Sequence, residues 1–414
     1  MRRDHFRKQE QCNRAASQSG QNIRLGTVFK YSLVLITVIG LMIPFSLTIL
    51  ADEHTLHIGC VFDLTAETAH FDVPILEGVR LGIQEINEQN GISGKIKIKL
   101  SVKDYRFNYA SALSMTKKLL ADGVNVVIGP APSPYAIIVG KLCAKKGVPM
   151  LGPTITSPGV PSDIGPYGFN VNVAGNVQAA ALARYAINQG YRRALILRSP
   201  DDAYTDVLPL YFARAFEKMG GSLVGQITYT LSQQEFSVEA RKIRKHRPKP
   251  DLIMSSAFGI WYASLISSLR MSGIKTTYFG AEAIDEPSAL RLGSVTEGVV
   301  FSTSSFATPG SSLDLFNQLY KKKLGKENIS AYTALGYDSI KLIEAAVKKA
   351  VSVEGRAIRD ALDSLENVQG ASAKITYAGN NRNADRPVAL CRMENGRKTL
   401  IKWVKPASED IPPP

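Results

Sequence analysis

Histidine is scarce in this chain, with five among 414 residues, and His5 lies in the N-terminal leader. His54 and His57 flank the first strand-like run, His70 falls in a loop and His246 in a charged stretch. None has a triad or ligand partner close by in sequence. The usual catalytic motifs are missing too. There is no Gly-x-Ser-x-Gly elbow, no His-Glu-x-x-His, no phosphate loop ending Gly-Lys-Ser/Thr, and no Gly-x-Gly-x-x-Gly after the first strand. Carboxylates such as Glu282 and Asp285-Glu286 occur together, but no spacing marks an acid/base couple. A binding protein is expected rather than an enzyme, and no cofactor.

Cysteine is equally sparse: Cys12, Cys60, Cys143 and Cys391, no two at metal-ligand spacing, so no metal site is expected. Cys60 and Cys391 sit in strand-like apolar runs and Cys143 on an apolar helix face. Buried free thiols are the default; a Cys60–Cys143 bridge is the alternative in an oxidising compartment. The net charge is +14, but a basic stripe interleaved with aromatics is lacking. The single basic cluster, Arg241-Lys242-Ile243-Arg244-Lys245-His246-Arg247, reads as the polar end of a surface helix. Nucleic acid is therefore not an expected partner.

One long hydrophobic run exists. Tyr31 to Ala51 is 21 residues without a charge, preceded by a basic segment and followed by Asp52-Glu53. That order is an export signal. The run is long for a signal-peptide core and long enough to span a bilayer, so residues 1–51 are either a cleaved signal or a retained anchor. No Cys follows, which disfavours a lipoprotein. The chain beyond residue 52 is expected outside the cytoplasm.

From residue 55 strand and helix alternate. "LHIGCVF" (56–62) reads as a strand buried on both faces. "KIKIKLSVK" (95–103) alternates strictly and is placed near a sheet edge. "VNVVIG" and "VPMLG" follow, separated by helices. The rhythm restarts at "RRALILR" (192–198) and continues through "SLVGQITYT", "DLIMSSAF", "TTYFGAEA" and "EGVVFSTS". Helices are expected at 312–324, 332–350 and 355–365, then "AKITYAG". "PVALCRME" and "KTLIKWV" flank Asn395-Gly396, a hairpin signal. "ASEDIPPP" reads as a loose polar tail. Repeated strand–helix–strand units imply parallel sheets with helices on both faces, and the arrangement occurs twice.

In such folds ligands gather at the carboxyl ends of the strands. Ser133-Pro134 follows "VVIGP" and reads as a helix N-cap with Pro at the first helical position; free N–H groups there suit a carboxylate. Thr154-Ile155-Thr156-Ser157 follows "VPMLGP" with hydroxyls and N–H groups. Glu282 follows "TTYFGA", an acid suited to an ammonium. Phe258, Trp261 and Tyr262 follow "LIMSSA" as apolar walls or a cation–π face, with helix packing the alternative for the last two. Anion donors on one segment and an acid on another complement a zwitterion. Capping, turn formation and solvation are the competing explanations for Ser133, the Thr154–Ser157 loop and Glu282.

At these residues the chain resembles the periplasmic solute-binding proteins of the leucine/isoleucine/valine-binding type. The resemblance rests on "LHIGCVFDLTAETAHFDVPILEGVRLGIQEINEQNGISG", "NVVIGPAPSPYA", "GVPMLGPTITSP", "PYGFNV", "DDAYTDV" and "GIKTTYFGAEAIDE". It implies a two-lobed type I fold, each lobe a parallel sheet flanked by helices, with three hinge crossovers. Lobe 1 would take 54–173 plus 306–380, lobe 2 174–305 plus 381–405, with 406–414 a tail. Carried over by position, Ser133, Thr156 and the Ile155 backbone would hold the ligand carboxylate and Glu282 its ammonium. Tyr204 and Phe258 would close over it, and Phe71 would touch its side chain. The chain departs from the family pattern at Asp63 and Ala66 in the first loop, at Phe71-Asp72, at Asn170, at Thr205, and at Phe258, which lacks a common hydroxyl. These departures bear on the ligand, since relatives bind amides, urea, other amino acids and aromatic acids. The implied function is a monomeric receptor that delivers an amino acid or related solute to an ABC permease in the inner membrane. A tethered ligand sensor is the alternative.

Overall fold

The computed structural model describes residues 55–328 and 330–414. The leader and the uncharged run of residues 31–51 lie outside the described residues. No described helix is long and apolar enough to cross a membrane.

The first sheet has the order β2-β1-β3-β4-β5. Its strands are β1 (Leu56–Phe62), β2 (Ile98–Asp104), β3 (Val126–Ile128), β4 (Met150–Gly152) and β5 (Gly168–Asn170), all paired in parallel. β1 is buried along its whole length because it lies between two strands and two helical layers. β2 is the edge, which explains its alternating pattern. Between the strands run α1 (Ala69–Glu88), α2 (Tyr109–Ala121), α3 (Ser133–Lys145) and α4 (Val160–Ile164).

The second sheet has the order β14-β13-β10-β9-β8-β6-β7. β6 (Arg193–Arg198), β7 (Ser222–Thr228), β8 (Leu252–Ser255), β9 (Thr277–Gly280) and β10 (Val300–Thr303) are parallel. β13 (Val388–Glu394) and β14 (Arg397–Val404) extend it as an antiparallel hairpin. Asn395 and Gly396 both have positive φ at its tip (54° and 70°), as a two-residue primed turn requires. α5 (Gly175–Asn188), α6 (Ala203–Lys218), α7 (Ser237–Lys245), α8 (Gly259–Met271) and the short α9 (Pro287–Leu290) cover its faces. The basic cluster is the exposed end of α7, as expected.

After β10 the chain returns to the first sheet as α10 (Ser312–Leu324), α11 (Ala331–Ala350), α12 (Gly355–Asp363) and the small pair β11 (Val368–Gln369) and β12 (Lys374–Ile375). It then crosses again into β13. α1 and α11 run side by side in backbone contact. A Cβ on Gly78 would lie 1.9 Å from the Thr333 carbonyl, and one on Gly336 would lie 2.0 Å from that of Ile75. Only glycine fits at either point. That contact sets Tyr332, at the start of α11, beside Phe71, at the start of α1.

Each sheet has an apolar layer on both faces. Leu56, Ile58, Ile75 and Ile343 belong to one layer of the first sheet, and Val61, Val127 and Cys143 to the other. Ala180, Phe212 and Phe279 belong to one layer of the second sheet, and Leu195, Ile253 and Phe301 to the other. Cys60, Cys143 and Cys391 are buried and unlinked.

The C-terminal segment is not a loose tail. Asp410 accepts both nitrogens of a partly buried Arg184 fork, and Asn176 Nδ2 donates to the Pro412 carbonyl at 2.9 Å. Lys218 donates to the Glu409 carbonyl, and Ile411 packs on the second core. The polar composition concealed an acid positioned for a bidentate arginine.

Candidate functional site

Glu282 stands where β9 ends. Gly280 permits the turn, since a Cβ there would meet Ile284 Cδ1 at 2.1 Å. The chain folds straight back into a 3-10 turn, Glu282–Ile284, and drives the carboxyl group inward to 6% exposure. Asn172 Nδ2 donates to both of its oxygens at 2.8 Å. Asn172 lies in the passage from β5 to α5, so residues of two separate stretches meet at this acid. Burial pushes the Glu282 carboxyl up to about 8; the Asn172 hydrogen bonds and the Arg386 charge pull against that, and Asp285 adds to it.

Tyr204 is adjacent. Its hydroxyl accepts the Ala283 N–H at 3.1 Å, and its carbonyl accepts Ser256 Oγ at 2.8 Å. Asp202 caps α6 by accepting the N–H groups of Tyr204 and Thr205. Thr205 is wholly buried and ties the turn by donating to the Ser199 and Asp202 carbonyls. Phe258 precedes α8, with its ring 6.3 Å from Tyr204 and 5.2 Å from Trp261. Trp261 Nε1 donates to the Leu231 carbonyl at 2.8 Å, and Tyr262 is buried in the core.

Phe71 meets Tyr332 edge-on at 5.1 Å. Burial pushes the Tyr332 phenol well up, and the charges of Glu282 and Tyr204 add to this. Phe71 and Tyr332 thus form one pair of neighbours, and Tyr204 stands beside both Phe258 and the Glu282 turn. Tyr332 was missed from the sequence, where it reads only as the start of a helix. The pairing of Gly78 and Gly336 that places it becomes visible only in three dimensions.

Ser133, Ile155 and Thr156 follow β3 and β4 at the carboxyl edge of the first sheet. Ser133 is not an N-cap: it is the first helical residue, Pro132 is the cap, and no side chain caps the helix. Pro132 already has the extended φ of a cap residue, which moves the boundary by one position. The Ile155 side chain is buried in the core. The Thr156 carbonyl accepts the Gly175 N–H at 2.7 Å. Thr154 Oγ1 is buried without a hydrogen-bond partner among the described residues. Neither the Ser133 nor the Thr156 hydroxyl hydrogen-bonds to the Glu282 group. Asn170 and Asn383 brace the loop: Asn170 Nδ2 donates to the Ser157 carbonyl and to Asn383 Oδ1, and Asn383 Nδ2 donates to the Pro158 carbonyl.

Two further buried acids organise this edge. Asp63 accepts the N–H groups of Thr65, Ala66 and Thr68 and the Thr68 hydroxyl. A carboxylate therefore shapes the loop after β1. Asp72 accepts Asp63 N–H at 2.8 Å and Ala131 N–H at 3.2 Å. Burial raises it well above the carboxylate range despite those bonds. Among the described residues no group of acids, histidines and cysteines could hold a metal ion.

The family of this two-sheet fold is given by sequence comparison. Residues 55–398 match the family model described as periplasmic binding protein. The chain belongs to that family. It is 24% identical over 347 residues to the Leu/Ile/Val-binding protein BraC3 of Rhizobium johnstonii, covering 82% of this chain and 92% of that one. The substrate-binding protein LivJ of Streptococcus pneumoniae, solved in complex with isoleucine, superposes with a TM-score of 0.74 at 22% identity, covering 85% of this chain and 100% of that one. A solute-binding protein of R. palustris in complex with 4-hydroxybenzoate superposes with a TM-score of 0.75 at 17% identity, covering 85% and 97%.

Proposed function

We propose that this protein is the extracytoplasmic receptor of an ABC importer and captures an α-amino acid between its two sheet units. The carrying observation is Glu282, a buried acid gripped by the Asn172 amide with Tyr204 beside it. The ligand ammonium pairs with Glu282. Its carboxylate lies against Ser133, Thr156, the Ile155 backbone and the unpartnered Thr154 hydroxyl. Phe71 contacts the ligand side chain, and Tyr204 and Phe258 close over it from the second unit. The units are 54–173 with 306–380 and 174–305 with 381–405, hinged at the three passages between sheets. Closure excludes water, which strengthens each charge-assisted bond. A permease then distinguishes closed from open receptor. The receptor acts as a monomer, performs no chemistry on its ligand, and works in the periplasm, released or held there by residues 31–51.

The raised Glu282 carboxyl favours one second reading, an aromatic acid without an ammonium, because a neutral carboxyl demands no cation. Thermal-shift measurements with L-leucine, L-isoleucine, benzoate and 4-hydroxybenzoate separate the two, since a ligand held only by the folded form raises the midpoint. Glu282→Gln is expected to weaken L-leucine binding by about 1–3 kcal/mol, the range for a charged hydrogen bond. It should spare benzoate. L-leucine affinity that ignores the substitution removes Glu282 from the site.

A further inference from the structure

Arg386 is 2% exposed, a costly place for a charge. Its Nη1 donates to the Val171 carbonyl at 3.2 Å, and its Nη2 to the Ser304 carbonyl at 2.7 Å and Ser372 Oγ at 2.6 Å. Val171 follows β5, Ser304 follows β10 and Arg386 itself precedes β13. These are the three places where the chain passes from one sheet unit to the other. Arg386 therefore stands on one passage while its guanidinium holds the other two.

Its counter-charge is Asp338 on α11, fully enclosed and 4.0 Å away. Asp338 is itself fixed by the Ala371 N–H at 2.5 Å and by the Ser372 hydroxyl. Asn172, the next residue after Val171, grips Glu282. From the arginine to the site acid is thus a single step along the first passage.

We propose that Arg386 is a positioning residue that couples the Glu282 acid to the three interunit passages, so that what happens to the charge of one is felt in the geometry of the other. Its meaning for ligand capture rests on the reading of Glu282 as the ligand's partner. The titratable groups facing Glu282 are Arg386, Asp285, Tyr204 and Tyr332, with Asn172 and Gln178 as neutral donors. Those facing Arg386 are Asp338, Glu282 and Tyr377. After the Asn172 hydrogen bonds, the Arg386 charge is the next pull against the burial of Glu282. An ammonium arriving at Glu282 would compete for that charge and relax its pull on the guanidinium. The guanidinium holds two passage carbonyls, so the change is delivered where the units hinge.

The test uses the ligand-free protein. The Glu282 carboxyl carbon is followed through a pH titration by 13C NMR with labelled glutamate, and its signal is assigned with Glu282→Gln. Amide exchange is read at Val171, Val173 and Ser305. In Arg386→Met with Asp338→Asn, which leaves no lone buried charge, the Glu282 midpoint is expected to rise by about one pH unit or more. Exchange at those amides should quicken about tenfold or more, as local opening becomes easier. Arg386→Lys keeps the charge and loses the fork, so the midpoint should hold while exchange quickens. An unmoved midpoint in the double variant overturns the coupling. If that variant does not fold, passage amides in Arg386→Lys that exchange no faster than in the parent protein overturn it instead. Failure of L-leucine to bind would remove the functional reading and leave these ligand-free results standing.

Discussion

The carboxyl ends of the two sheets use the same kind of side chain for opposite purposes. On the first sheet Asp63 and Asp72 are buried and turned onto backbone N–H groups, Asp63 accepting four hydrogen bonds and Asp72 two. On the second, Glu282 is also buried, but among the described residues it is held by a side-chain amide, that of Asn172 at 2.8 Å, and by no backbone N–H. A carboxylate whose lone pairs are filled by backbone is a structural brace. One held on a single side remains open to a partner from outside the chain. The difference separates an edge that shapes a loop from an edge that can select a ligand.

The sharpest way to break that contrast is to damage the frame beneath the first edge. Gly336→Val places side-chain atoms into the Ile75 carbonyl. It is expected to cost about 3 kcal/mol or more in urea unfolding, beyond ordinary overpacking because backbone must move. A cost below about 1 kcal/mol would mean that α1 and α11 are not in backbone contact. Asp63→Ala tests the brace itself. With three N–H groups losing their acceptor, a loss of about 2–3 kcal/mol is expected in the same measurement; a neutral result would show that water replaces the carboxylate at no cost.

pH tests the other edge. Glu282 holds its proton to about 8 when folded, against 4.5 ordinarily. The stability this contributes is complete below the unfolded value and is lost as pH rises through about 8. Asp72 is raised as well and acts in the same direction. The melting temperature of the ligand-free protein should therefore decline across this window, and less steeply in Glu282→Gln. Parallel curves for the two proteins would argue that Glu282 ionises normally. The smallest effect is expected of Tyr332→Phe, which keeps the ring against Phe71. L-leucine affinity should fall less than about tenfold, the net worth of one neutral hydrogen bond, with no change in unfolding midpoint. A larger loss would give the Tyr332 hydroxyl a direct ligand bond.

The fold was largely legible because its signals are local. Apolar runs such as Leu56–Phe62, the strict alternation of the β2 edge, and the Asn395-Gly396 turn each read out in the structure close to where periodicity put them. The three-residue strand β5 and the short α4 escaped notice, having too few residues to show a period. The site was legible only in part. Glu282, Tyr204 and Phe258 stand at strand ends, where topology alone nominates them. Asn172, Tyr332 and Arg386 do not: their roles come from partners far along the chain, Glu282 for Asn172, Phe71 for Tyr332 and Val171 for Arg386, and only packing reveals these. Asp410 taught the same lesson in reverse, since a Pro-rich, polar sequence gave no hint of its arginine.

The chain has two tryptophans, and they are unequally placed. Trp403 is 39% exposed on the hairpin edge, whereas Trp261 lies against Phe258 with its indole nitrogen bonded to Leu231. Replacing Trp403 by phenylalanine would leave a single emitter at the rim of the second sheet. Its fluorescence would then report, without any attached dye, whether the wall beside Phe258 shifts when a solute enters.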